Sequence, residues 1–128
     1  MAIQLNHTIV WAGDPARSAR FLAEMLGRPE PVRFGRFLVV ELDNGVQLDF
    51  ARADGPIQQQ HYAFLIGEAD FDAVLARIEA AGLPYWADPM LRRERQINRD
   101  DGGRGIYFMD PDNHQLEVIT RPYGGETG

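Results

Sequence analysis

The chain has 128 residues, 45% of them hydrophobic and 25% charged, with 13 Lys+Arg against 19 Asp+Glu, a formal net charge of −6 and no cysteine. This is the size and composition of one globular domain, able to bury roughly two-thirds of its unfolded surface. The charge disfavours nucleic acid and anionic membranes, and the missing thiols exclude disulfides and cysteine nucleophiles, leaving nitrogen and oxygen as the donors for any metal.

The opening segment Met1-Ala2-Ile3-Gln4-Leu5-Asn6-His7 lacks the basic and apolar regions of a signal peptide. No apolar run nears the ~20 residues that span a bilayer, so a soluble cytoplasmic protein is expected. Ile3 to Trp11 alternates as a strand, with Ile3, Leu5, His7, Ile9 and Trp11 on one face. Asp14-Pro15 reads as an N-cap with proline at the first helical position, Phe21, Leu22, Met25 and Leu26 form an apolar stripe, and Gly27 is a stop. A weak strand near Val32-Arg33-Phe34 and strands at Phe37–Leu42 and Val46–Phe50 follow. Asn44-Gly45 marks the hairpin, because both residues tolerate positive φ.

The order then repeats. His61–Ile66 is a strand, and Ala69 to Ala81 is a helix with the stripe Phe71, Val74, Leu75 and Ile78, ended by Gly82 and Pro84. A weak strand is expected near Tyr85-Trp86. A strand at Gly105–Met109 leads through Asp110-Pro111-Asp112-Asn113 into a last strand, Gln115–Thr120. Each half reads β-α-β-β, or β-α-β-β-β with its weak strand. The expected organisation is a single domain over 1–123 with an internal repeat (3–53 and 61–122), a linker at 54–60 and a flexible tail at 124–128.

Duplication makes three polar residues informative. His7 and His61 each open the first strand of a half, and Asp49 in the last strand of the first half matches Glu117 in the last strand of the second. Two imidazoles and a carboxylate, here His7, His61 and Glu117, can hold a divalent metal with coordination positions open for a substrate. Glu117 alternates with Leu116 and Val118, and a metal would relieve the cost of burying it. His114, in a predicted turn, is expected to be exposed and apart from the metal. The arginines at 92, 93, 95, 99 and 104 read either as a solvated loop or as recognition of an anionic substrate.

Three stretches resemble the vicinal oxygen chelate superfamily, which includes glyoxalase I, extradiol dioxygenases, fosfomycin-resistance transferases and bleomycin-resistance proteins. They are Leu5-Asn6-His7-Thr8-Ile9-Val10 running into 14–22, Gln60-His61-Tyr62-Ala63-Phe64, and the segment 105–118 ending Asn113-His114-Gln115-Leu116-Glu117-Val118. The resemblance implies an α+β fold of two tandem βαβββ modules, whose curved mixed sheet surrounds a metal cavity. It also implies a homodimer whose chains jointly build each site, and metal positions at His7, His61 and Glu117. Asp49 stands where glyoxalase-like members supply a fourth ligand, although those use the longer glutamate. The metal would be Fe(II), Mn(II), Ni(II) or Zn(II), chelating vicinal oxygens of a small anionic or aromatic substrate.

Tyr107 lies ten residues before Glu117, a spacing that resembles the active-site tyrosine of extradiol dioxygenases. Those enzymes also use a histidine upstream. Here that segment is Gln96-Ile97-Asn98-Arg99-Asp100, which offers Asn98 and Arg99 as hydrogen-bond donors but no ready proton shuttle. Trp11, Phe50, Tyr62 and Trp86 are candidates for an aromatic-accepting pocket or for packing. Catechol-like dioxygenation and glyoxalase-like lysis stand about equal, and fosfomycin-type transfer fits less well. The alternative is a non-catalytic small-molecule binding or antibiotic-resistance protein on the same fold.

Overall fold

The structure is a computed structural model in which residues 2–124 are described. Met1 and residues 125–128 lie outside the described residues, and with them most of the expected tail. Two compact units, Met1–Gln58 and Gln59–Gly128, divide the chain inside the expected linker.

In the first unit the elements are β1 (His7–Ala12), α1 (Pro15–Leu26), β2 (Val32–Phe34), β3 (Phe37–Glu41) and β4 (Gln47–Arg52). The sheet order is β1-β4-β3-β2, with β1 parallel to β4 and the other pairs antiparallel. The helix begins and ends where local chemistry directs it. The Asp14 carboxylate accepts the Arg17 N–H at 3.2 Å, Pro15 opens the first turn, and Gly27 takes φ 69°. Arg28 N–H then returns to the Ala23 carbonyl at 2.8 Å, closing the last turn. Val10 and Ala12 of β1, Val40 of β3, and Leu48 and Phe50 of β4 are buried, as are Ala19, Leu22, Ala23 and Met25 of α1, which packs on β1, β3 and β4.

The alternate face of β1, with His7, Ile9 and Trp11, is left exposed. The strand is shorter than the sequence pattern suggests. Its parallel ladder starts at His7 opposite Gln47, because the chain before Gln47 is already in the Asp43-Asn44-Gly45 turn and gives Ile3 and Leu5 no strand to pair with.

In the second unit the elements are β5 (His61–Leu65), α2 (Glu68–Ala80), β6 (Gly105–Met109) and β7 (Gln115–Ile119), in sheet order β5-β7-β6. The first strand again runs parallel to the last, and β6 is antiparallel to β7. Phe71, Val74 and Ile78 are the buried stripe of α2. Arg104, just before β6, lies 4.4 Å over the Phe71 ring and forms ion pairs with Glu68 and Asp72, tying this helix to the strand.

The fold is therefore mixed α+β, with two helices and two small mixed sheets among the described residues. It bears out the expected α+β class, each unit pairing its first strand in parallel with its last. The weak strand at Tyr85-Trp86 is reduced to isolated bridges from Trp86 to Tyr107 and Glu94. Two features shorten it. The Asp88 carboxylate gathers the backbone N–H groups of Arg92 and Arg93 into a turn, and Pro84 and Pro89 have no N–H to give a ladder.

Replacing the helix cap tests the local account of α1. Asp14→Ala should lower unfolding free energy by about 1 kcal/mol in urea titrations, the usual cost of losing such a cap. No change would show that Pro15 and tertiary packing set the helix start unaided.

Candidate functional site

The two units place a histidine and an acid by the same register. His61, the first residue of β5, is paired with Gln115, and Glu117 follows two positions later on β7. His7, the first residue of β1, is paired with Gln47, and Asp49 follows two positions later on β4. Because alternate residues of a strand share a face, each histidine sits diagonally beside its acid. The backbone matches as well: Gln115 N–H donates to the Gln60 carbonyl and Gln47 N–H to the Asn6 carbonyl, both at 2.9 Å.

In the second unit the two side chains meet. His61 Nε2 is 3.1 Å from Glu117 Oε1, and His61 Nδ1 is 3.1 Å from the Gln115 carbonyl oxygen. That carbonyl can only accept, so Nδ1 carries the proton. A neutral ring then turns the Nε2 lone pair toward a carboxylate oxygen, and such a contact is stable only with a proton or a cation between the two atoms. Glu117 is 1% exposed, and its Oε2 is buried with no hydrogen-bond partner among the described residues. An unsatisfied carboxylate oxygen and an oriented imidazole fit a divalent first-row ion.

Burial pushes the Glu117 carboxyl above its ordinary pKa, against the opposing pull of the Tyr107 hydroxyl and then His61. Tyr107 sits opposite Glu117 on β6, with its ring stacked on His61 at 6.0 Å between centroids. Burial first, and the Glu117 charge second, push its phenol far above the usual range, so it remains protonated at neutral pH. Its hydroxyl is paired with that of Tyr123 at 2.9 Å. Tyr123 was invisible to sequence patterning, because it lies beyond the last strand and its partner is fixed only by the chain's path past Ile119.

In the first unit His7, Ile9, Val39, Gln47 and Asp49 line one cavity of about 740 Å³, together with Phe34 and Phe37. Asp49 Oδ1 is buried and without a hydrogen-bond partner among the described residues, whereas His7 is exposed, with Nδ1 2.8 Å from the neighbouring Asn6 Oδ1. Among the described residues no three His, Asp or Glu side chains are grouped to hold an ion. Of the four expected donors, the structure thus brings His61 and Glu117 into contact and places His7 and Asp49 on one sheet face.

Asn98 exchanges backbone hydrogen bonds with Gly105, while its carboxamide oxygen accepts the Asp100 N–H at 2.8 Å. Arg99 is exposed beside it. The arginine run divides: Arg104 is committed to α2, whereas 92, 93, 95 and 99 are exposed. Phe50 is core, and Trp11 is on the open face. The expectation for His114 is overturned. It is 0% exposed, enclosed beside the Tyr62 ring and accepting the Gln60 N–H on Nδ1.

A family model, the Glyoxalase/Bleomycin resistance protein/Dioxygenase superfamily, matches residues 4–118. The glutathione transferase FosA of Serratia marcescens is 33% identical over 124 residues, covering 92% of this chain and 81% of the relative. Among solved structures, oxidase ChaP-H1 is 56% identical with a TM-score of 0.95, covering 97% of this chain and 100% of its own. The fosfomycin resistance protein FosX from Mesorhizobium loti is 26% identical with a TM-score of 0.70, covering 96% of both chains.

The cost of burying this carboxylate is testable. In chelator-treated protein at neutral pH, Glu117→Gln should keep or raise the urea midpoint, because it removes a buried charge at constant shape. A loss of about 1 kcal/mol or more would show that the carboxylate is already satisfied in the metal-free fold.

Proposed function

Since the chain belongs to the Glyoxalase/Bleomycin resistance protein/Dioxygenase superfamily, we propose that it is a metal-dependent oxidase. Its substrate would be a small molecule bound through adjacent oxygens, such as a catechol or an α-hydroxycarbonyl. The observation that carries this reading is the buried Glu117 carboxylate, with one oxygen facing His61 and the other without a hydrogen-bond partner among the described residues. The oxidase branch is favoured over transfer and lysis by the 56% identity to an oxidase along the whole chain, against 33% to the transferase.

His61 and Glu117 would hold the ion, with His7 and Asp49 as the further donors proposed on sequence grounds. A bound Fe(II), Mn(II), Ni(II) or Zn(II) would supply a Lewis acid for the chelated oxygens, and iron or manganese would add redox chemistry with O₂. Tyr107 would donate its phenolic hydrogen to a substrate oxygen, since burial keeps it protonated, and Tyr123 would hold that hydroxyl in place. Arg99 would attract an anionic substrate from the surface, and Asn98 would add a hydrogen bond from the loop before β6. We also propose a homodimer acting in the cytoplasm; no described helix is long and apolar enough to cross a membrane.

Anaerobic loading with Fe(II), followed by a panel of catechols and oxygen, tests the reading. Oxygen uptake is expected, with Tyr107→Phe lowering kcat about 10²-fold at unchanged iron content and His61→Ala losing the iron. The 33% identity to FosA supports a second reading. Thiol transfer to fosfomycin by Mn(II)-loaded protein, without oxygen uptake, would replace the oxidase by a transferase. Turnover of a hemithioacetal with Ni(II) or Zn(II) would make it a lyase. A metal-free wild type that binds an aromatic drug would make it a binding protein.

A further inference from the structure

His114 is wholly enclosed, yet nothing in the proposed chemistry uses it. The turn that presents it is built around Asp110, whose Oδ1 accepts the N–H groups of Asp112 and His114 at 2.9 and 2.8 Å. Asp110 N–H in turn donates to the His114 carbonyl at 3.0 Å, and Asn113 adopts φ 66° to close the turn. With its backbone fixed, His114 aims Nδ1 at the N–H of Gln60, 2.9 Å away across 54 residues of sequence. An N–H donor there requires Nδ1 to be unprotonated, so His114 acts as an acceptor.

Gln60 immediately precedes His61. Its carbonyl accepts from Gln115 N–H while its N–H donates to His114, so both polar groups of this one peptide position are tied to β7 and the turn before it. Gln59 adds a side-chain bond to the Asn113 carbonyl at 2.7 Å. The clamp holds the Gln60 peptide at the first rung of the parallel ladder, next to His61, whose ring is oriented by the Gln115 carbonyl.

The first unit serves as an internal comparison. Val46 occupies the position equivalent to His114, one residue before the paired glutamine. Its side chain cannot accept a hydrogen bond. There the first-strand histidine does not orient on the glutamine carbonyl, and His7 Nδ1 turns to its neighbour Asn6 instead.

We infer that His114 is a positioning residue for His61: it accepts the Gln60 N–H, pins the start of β5 against β7, and so holds His61 with Nδ1–H on the Gln115 carbonyl and Nε2 toward Glu117. The metal arm of the test rests on the reading of His61 as a donor; the spectroscopic arm does not.

The test uses the full chain, ¹⁵N-labelled and chelator-treated, as wild type, His114→Phe, His114→Asn and His114→Gln, with circular dichroism as the check on folding. Imidazole ¹⁵N spectra report which His61 nitrogen carries the proton, and Co(II) titration followed by absorbance reports affinity. Asparagine places Oδ1 where Nδ1 stands, whereas phenylalanine fills the space without an acceptor. In folded His114→Phe, His61 should lose its single Nδ1–H state and Co(II) affinity should fall about 10- to 100-fold, as for other residues that orient a ligand. His114→Asn should restore both. A folded His114→Phe with wild-type spectrum and affinity overturns the inference. If His114→Phe does not fold, the amides decide: glutamine places its polar atoms near Nε2, so equal behaviour of His114→Gln and His114→Asn overturns it. A wild type that ignores Co(II), while His61 still shifts in His114→Phe, supports the positioning role and removes the metal reading.

Discussion

A carboxylate held out of water is the constraint on which the second unit turns. Glu117 sits on β7, the middle strand of its sheet, so backbone ladders on both sides hold it in place. Burying a charged carboxylate costs several kcal/mol unless partners compensate. The neighbouring Tyr107 and His61 offset that cost only in part, since burial still raises the Glu117 pKa. A fold selected for stability alone would place an apolar residue between Leu116 and Val118. The acid there leaves one carboxylate oxygen buried without a hydrogen-bond partner among the described residues.

The surroundings answer to that carboxylate. His61 is oriented from behind by a backbone carbonyl, which leaves its other nitrogen directed at Glu117. Tyr107 is stacked on the same imidazole and capped by Tyr123, whose 54% exposure puts the outer end of the phenol pair at the surface. His114 and Asp110 lie at the His61 end of the β5–β7 pair, where they hold backbone N–H groups. Polar residues are therefore graded from those that touch Glu117 or His61 to those that hold the backbone around them.

The two units show how a duplicated plan diverges. Both pair the first strand with the last in parallel, and both put a histidine opposite a glutamine with an acid two residues on. The first unit carries an aspartate, one methylene shorter, and a valine where the second has the buried histidine. Its open face keeps a cavity with Phe34 and Phe37 beside His7, so this copy retains space where the second has a tightly ordered polar cluster. Family likeness alone would not separate these roles, because one fold hosts several chemistries.

Local chemistry made much of this legible in the residues alone. The Asp14-Pro15 start, the Gly27 stop, the Asn44-Gly45 turn and the alternation around His61 and Glu117 are signals that a short segment carries by itself, and the repeat of histidine and acid is visible by aligning the halves. What tertiary structure alone decided is the state of each polar side chain. His114 reads as an exposed turn residue yet is enclosed by Tyr62 and the Gln60 peptide, and Tyr123 gains its role from Tyr107. Likewise, Tyr85-Trp86 has strand-like residues but forms only bridges, because Asp88 turns the following chain away. Periodicity and capping act over a few residues, whereas enclosure and hydrogen-bond partners come from chain segments dozens of residues away.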